Sequence, residues 1–299
     1  MAGAAAAATY PVPMLNEDPA PLRDPVVVAA FEGWNDAGEA ATAAIAHLIE
    51  VWGAEEVAAF DPEDYYDYQV HRPRIVRRGG RRQVEWPTTS FHVAQPPGLD
   101  RDVLLVQGLE PSMRWRAFTE ELLGWVAEAG ATEFVTLGAL LADVPHTRPL
   151  PVSTTTSSLA LQRRLDVQAA DYEGPTGIVG VLNQEAEDTG LDAVSLWVSV
   201  PHYAGGVPSP RATWGLLTAL EEVLDTVIDT ADLEELSRAW TRGVEELTRQ
   251  DENVAEYVEA LEEAVDELTS PQASGDALAK EFEQYLKRRE GDGGSTPPV

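Results

Sequence analysis

Short apolar runs that alternate with helix-spaced apolar residues constrain this chain more than any other feature of it. Pro25-Val26-Val27-Val28-Ala29-Ala30-Phe31 is apolar throughout, the pattern of a strand covered on both faces in a parallel sheet. Ala41, Ile45, Leu48 and Trp52 follow at helical spacing, and Gly53 suits a helix end. EEVAAFD supplies the next strand. The alternation then returns four times: DVLLVQG leads to a helix over Met113 to Ala129, EFVTLGA leads through a long loop to SSLALQRRLDV, TGIVGVL reads as a strand before a short helix over Asn183 to Asp188, and AVSLWVSV leads through Pro201-His202-Tyr203 to RATWGLLTALEEVLDTVI. Repeated units of this kind predict an α/β fold, a three-layer α/β/α sandwich with a mostly parallel sheet. The serines and threonines of STTTSS read as caps that open a helix. RIVRRGGRRQVEW reads as an inserted β-hairpin, with Ile75, Arg77, Val84 and Trp86 alternating around Gly79-Gly80.

The alternation stops near Thr230. Leu233, Leu236, Trp240, Val244 and Leu247 form one helical stripe, and Val254, Tyr257, Val258, Leu261, Val265 and Leu268 form another. Two antiparallel helices are the simplest product, followed by EFEQYLKRRE and the polar tail GDGGSTPPV. The chain therefore divides into a flexible arm (1–24), an α/β core (25–229), a C-terminal helical hairpin extension (230–290) and a disordered tail (291–299). At 299 residues it is long enough for one large core with an appended unit.

Charge and cysteine content remove several classes of function. The 51 acidic residues outnumber the 21 basic ones and set a net charge of -30, which repels a phosphate backbone, so no nucleic-acid partner is expected. The one basic cluster, Arg72, Arg74, Arg77, Arg78, Arg81 and Arg82, reads as the solvated tip of the hairpin. The absence of cysteine excludes disulfides, thiolate nucleophiles and cysteine metal sites, and fits a cytoplasmic protein. No apolar run is long enough to span a bilayer, and the Ala-rich start lacks the basic residues and apolar centre of a signal peptide, so no membrane association is expected. GxSxG, HExxH, GxxxxGK[ST] and a GxGxxG after a strand are all missing, and no metal or cofactor is expected.

In an open parallel sheet, ligands collect at the C-terminal ends of the strands. That rule gathers four loops: Glu32 to Asp36, with Trp34 and Asn35; Glu110-Pro111-Ser112; Asp143 to Pro149, with His146, Thr147 and Arg148; and Pro201-His202-Tyr203. Two histidines, an arginine and several carboxylates in one cleft suit acid–base work on a small substrate, or contact with a partner. Each has a structural counterpart. Arg148 can pair with a neighbouring carboxylate, His202 and Tyr203 can simply pack, and His47 sits inside a helix. Asp36 with Glu39 three residues later reads as a capping box, which places negative charge where a phosphate would otherwise bind. The loop carrying Asp61, Glu63, Asp64 and Asp67 among Tyr65, Tyr66 and Tyr68 could face a partner, and has no metal-loop order.

FEGWNDAGEAAT, GLEPSMRW, LGALLADVPHTRP, EGPTGIVGVL and LWVSVPHYAGGVPSPRA, spread from Val26 to Ile228, resemble the proteasome assembly chaperone family, in the branch named for the second eukaryotic chaperone, and its actinobacterial members. The resemblance implies a nucleoside-phosphorylase-like sandwich, a helical C-terminal addition, self-association and a scaffold role without catalysis. Its members that dock on proteasomes often end in a hydrophobic-tyrosine-any tail, whereas this chain ends Thr296-Pro297-Pro298-Val299. The leading expectation is a non-enzymatic assembly factor that forms a homo-oligomer, with a trimer as the expected size, and binds proteasome-related or other protein partners. Trp34, Trp115, Trp197 and Trp214, on or near the motif loops, suit buried interface centres. The alternative is a phosphorylase- or hydrolase-like enzyme acting on a nucleoside or small anion, with His146 or His202 as acid–base and Arg148 holding the anion.

Overall fold

The computed structural model describes residues 21–269. Most of the expected arm, the EFEQYLKRRE segment and the tail lie outside the described residues. In chain order the regular elements are β1 (Val26–Glu32), α1 (Ala40–Val51), β2 (Glu55–Ala59), β3 (Arg74–Arg78), β4 (Arg81–Glu85), β5 (Ser90–Ala94), β6 (Val103–Leu109), α2 (Trp115–Glu128), β7 (Glu133–Ala142), β8 (Val152–Thr155), α3 (Leu159–Leu165), α4 (Ile178–Asp188), β9 (Asp192–Pro201), α5 (Pro210–Leu224), α6 (Ala231–Arg249) and α7 (Glu252–Thr269).

Seven strands form one sheet in the order β2-β5-β6-β1-β7-β9-β8, with β3 and β4 paired apart from it as a hairpin. The central run β6-β1-β7-β9 is parallel, with Val26 level with both Val103 and Glu133. The period-two geometry of a strand explains why β1 is apolar without a break. Val26, Val28 and Ala30 enter a core with α1, α3 and α5, through Ile45, Leu48, Leu161, Leu216 and Leu220. Val27, Ala29 and Phe31 enter a second core with α2 and α4, through Phe118, Leu122, Ile178 and Leu182. Helices therefore cover both faces, as the alternation predicts.

Three local expectations are corrected, and the EEVAAFD strand forms at a sheet edge. TGIVGVL is not a strand: Ile178, Val179, Leu182 and Ala186 are buried at helical spacing on α4, which makes one helix of what reads as a strand and a turn. STTT does not open a helix either. It forms β8, antiparallel to β9, and only Ser158 caps, accepting a hydrogen bond from the Leu161 N–H at 3.4 Å. The EEVAAFD strand is an edge strand, antiparallel to β5, a short strand with no apolar run of its own. On α6 the buried face is Leu233, Ser237, Val244 and Thr248, whereas Leu236 and Leu247 are exposed, so the stripe is rotated from the expected one.

The hairpin forms as expected. Gly79 and Gly80 both have positive φ, +57° and +81°, the conformation a two-residue primed turn requires.

Candidate functional site

The four predicted loops follow β1, β6, β7 and β9, whose parallel alignment brings them to the same end of the sheet. Their side chains form two separate hydrogen-bonded sets, and among the described residues no hydrogen bond joins one set to the other.

The first set surrounds the opening of α1. After β1 the chain turns at Gly33 (φ +132°), exposes Trp34, and buries Asn35 completely while its carbonyl accepts a 2.7 Å hydrogen bond from the Ala139 N–H of β7. Asp36 then ties down the helix. Its Oδ1 accepts hydrogen bonds from the Ala41 N–H at 2.7 Å and the Thr42 N–H at 3.3 Å, and its Oδ2 accepts from the Thr42 hydroxyl. The capping box itself is not formed. Gly38 and Glu39 both take left-handed backbone (φ +61° and +52°), which delays the helix to Ala40, so Asp36 reaches donors five and six residues on and Glu39 points outward. Gly38 is required there twice over, by its φ and by the Ser209 Cβ that would lie 3.0 Å from an added Cβ.

Burial raises the pKa of Asp36, against the lowering effect of its three hydrogen bonds. Glu32 is raised first by desolvation, although its side chain still reaches solvent, and then by repulsion from Asp36 and Glu39; Arg74 and His71 act in the opposite sense. Glu110, after β6, accepts hydrogen bonds at Oε1 from the Asn35 side-chain amide (3.0 Å) and the Ile178 N–H (2.9 Å). Its carboxylate thus fills the anion position at the start of α4. Asn35 Oδ1 is buried without a hydrogen-bond partner against Gly177. Gly177 and the α4 start escape a sequence reading because that segment reads as a strand; the glycine before an apolar run at 3.6 spacing was the available signal.

The second set gathers Asp143, His146, Thr147, Arg148, His202 and Tyr203 beneath α7. Arg148 makes a bidentate ion pair with Asp266 (Nε 2.9 Å, Nη2 2.7 Å), and Glu262 lies 3.6 Å from its Nη1 and accepts from the Thr147 hydroxyl. The carboxylate partner expected for Arg148 therefore comes from the helical extension. Asp143 accepts from the Tyr257 hydroxyl at 2.8 Å and meets His202 Nδ1 at 3.1 Å. His146 is 1% exposed; its N–H donates to the Tyr203 oxygen at 2.8 Å and its Nδ1 lies 2.9 Å from the same atom. Burial pushes its pKa down, Glu245 and Glu262 oppose that, and Arg211 adds to it. Tyr203 is pushed up to about 12, chiefly by burial. Both shifts favour the neutral imidazole and the unionised phenol, so the pair is set up as a neutral hydrogen bond and not for proton transfer, and both groups sit under a helix.

None of the predicted residues lines the hollow of about 880 Å³ at the opposite end of the sheet, where Trp52, Phe91, Leu104 and Trp125 meet Glu55 and Gly130. Among the described residues no group of three histidine or carboxylate side chains is placed to hold a metal ion, and no helix is long and apolar enough to cross a membrane.

A family model described as the PAC2 family matches residues 30–248. The chain belongs to the PAC2 family. A PAC2 family protein from Streptomyces avermitilis is 53% identical, covering 79% of this chain and all of its own, with a TM-score of 0.74. A Mycobacterium tuberculosis protein described as a proteasome-assembly chaperone homologue is 48% identical over 78% of this chain and 99% of its own, with a TM-score of 0.71. An archaeal proteasome activator from Pyrococcus furiosus shares the fold at 20% identity and a TM-score of 0.62, covering 79% of this chain and 96% of its own. No curated protein matches the chain. The PAC2 match includes both sets of loop residues and ends before α7, so Tyr257, Glu262 and Asp266 reach the PAC2 loops from beyond it.

Because the Arg148–Asp266 pair is exposed, it holds α7 weakly and is screened by salt. Arg148→Ala is expected to speed amide hydrogen exchange in α7 severalfold while β1 keeps its protection, with the difference shrinking at high salt. The Asp266 carboxyl is held below its usual range by the Arg148 hydrogen bond, so this tether's contribution is fully present above the ordinary carboxylate range and is lost as pH falls below that range and through the lowered folded-state value. Unchanged exchange in α7 at low salt rules the tether out.

Proposed function

We propose that the protein is a non-enzymatic, cytoplasmic interaction factor of the assembly-chaperone kind, acting as a homo-oligomer on protein partners such as proteasome components. The observation that carries this reading is the 48% identity, over nearly the whole of the relative, to a protein described as a proteasome-assembly chaperone homologue. The engagement of the strand-end groups supports it. Asp36 and Glu110 are spent on two helix starts and Arg148 on Asp266, which leaves an incoming small anion in competition with fixed carboxylates. Exposed Trp34 (68%) and Leu141 (54%) at the same end of the sheet suit a protein contact better than a small-molecule site. The lack of cysteine suits a reducing compartment.

The test is reconstitution. Recombinant α and β subunits of an actinobacterial proteasome are mixed with and without the full-length protein, and assembly is followed by native electrophoresis and light scattering. A complex with α subunits and faster appearance of assembled particles is expected. No complex and no change in assembly overturns the chaperone reading, and nucleoside or ATP turnover that disappears in His146→Ala overturns the non-enzymatic one.

A further inference from the structure

We infer that the outer face of the β3–β4 hairpin is a docking surface for an acidic segment of a partner protein that also carries apolar side chains. The inference rests on the protein-interaction reading above and adds to it a surface and a partner chemistry. The cross-strand register is Ile75 with Val84, Arg77 with Arg82 and Arg78 with Arg81. Alternation along the strands places Ile75, Arg77, Arg82, Val84 and Trp86 on one face. On the other face Arg74 comes close enough to Glu32 to lower its pKa, and Val76 and Glu85 are half-buried. The outer face is open: Ile75 is 63%, Val84 51% and Trp86 46% exposed, with the Tyr68 ring 4.9 Å from that of Trp86.

Two features of this face work against the isolated hairpin. On this face Arg77 stands opposite Arg82, as Arg78 stands opposite Arg81 on the other face, and like charges directly across a ladder destabilise it. The turn at Gly79-Gly80 is tight, so they cannot splay apart. Among the six arginines of the cluster, the described ion pairs include only Arg78 with Glu85. An Ile75–Val84–Trp86 patch on a two-stranded ribbon adds apolar area that, among the described residues, only the Tyr68 ring partly covers. An acidic segment with apolar side chains relieves both costs at once, since its carboxylates sit between the Arg77 and Arg82 guanidiniums and its apolar groups cover the patch.

The net charge of -30 selects the kind of polyanion. Carboxylates of the body beyond the screening length of about 8 Å at physiological salt are screened, so a short ligand held between Arg77 and Arg82 feels those arginines most. A long nucleic acid is brought against that body and repelled.

The experiment uses the full-length protein and fluorescein-labelled probes at physiological salt: a short peptide alternating glutamate with leucine and phenylalanine, an all-glutamate peptide of the same length, and single-stranded DNA. The mixed peptide is expected to bind best by anisotropy. Arg77→Glu/Arg82→Glu is expected to weaken it at least about tenfold and Ile75→Ser severalfold. Arg77→Gln/Arg82→Gln, which removes charge without adding any, is expected to lie between, and unchanged circular dichroism shows that the fold is kept. Equal binding by the charge-reversed variant overturns the inference, as does DNA bound as tightly as the mixed peptide. An oligomer that dissociates on charge reversal also overturns it, because the occupant is then a second copy of the chain. If the reversed variant still engages proteasome subunits, the hairpin assignment falls and the chaperone reading stands. If the wild-type protein binds neither peptide nor subunits, both fall.

Discussion

Replacing Asp36 with alanine is expected to lower the unfolding free energy by about 2–4 kcal/mol, while asparagine at the same position stays within about 1 kcal/mol of the parent. An exposed helix cap is worth about 1 kcal/mol, but this one is buried: Asp36 is 8% exposed, and its carboxylate accepts hydrogen bonds from two backbone N–H groups and the Thr42 hydroxyl. Alanine leaves those donors without partners inside the protein. Asparagine keeps an oxygen for the two N–H groups and turns its amide toward the Thr42 oxygen, which accepts in place of donating.

The pH dependence has a definite sign. Because burial raises the folded-state pKa of Asp36, the folded protein favours the protonated form, so this group's contribution is fully present below its ordinary range and is lost as pH rises through the raised value. The asparagine variant, which never ionises, is therefore expected to gain on the parent across that interval. Denaturant melts of the three proteins at acidic and neutral pH decide the matter. An alanine variant as stable as the parent removes Asp36 from the helix start, and loss of proteasome-subunit binding in both variants at full stability makes the carboxylate functional.

Gly177→Ala is expected to cost about 1–3 kcal/mol through overpacking, and more if the first set of loop residues is driven apart. A Cβ at Gly177 lies 2.0 Å from Asn35 Oδ1 and 2.7 Å from its Cγ. Asn35 cannot retreat, because it is fully buried, its carbonyl is bonded to β7 and its amide to Glu110. Glu110 in turn holds the Ile178 N–H, so the displacement is passed to the start of α4. Removing the obstacle separates this clash from any intrinsic cost of alanine at a helix N-cap. In Asn35→Ala/Gly177→Ala the two losses are expected to fall well short of additive, since the side chain that collides is gone. Strictly additive losses in chemical denaturation place the two residues out of contact.

The sequence by itself determined the layered α/β core, because burial on both faces leaves its mark on every residue of a central strand. β1, β6, β7 and β9 read as apolar runs for that reason, and α1, α2 and α5 read as helices because their buried residues repeat every three or four positions. Gly79-Gly80 announced the hairpin through backbone conformation alone, and the four candidate loops followed from strand direction. Only the tertiary structure decided the rest. TGIVGVL is too short and too apolar for its period to separate strand from helix, and the α2–β7 face against which it packs selects α4. The edge strands β2 and β8, and β5 next to β2, are half-buried and carry no continuous apolar run. The partners that define the candidate site are remote in the chain: Glu110 meets Ile178 across 68 positions and Arg148 meets Asp266 across 118. Local preference carries no information about which distant carboxylate reaches a given cation, so whether Arg148 met a ligand or a neighbour was settled only when α7 folded back over the strand ends.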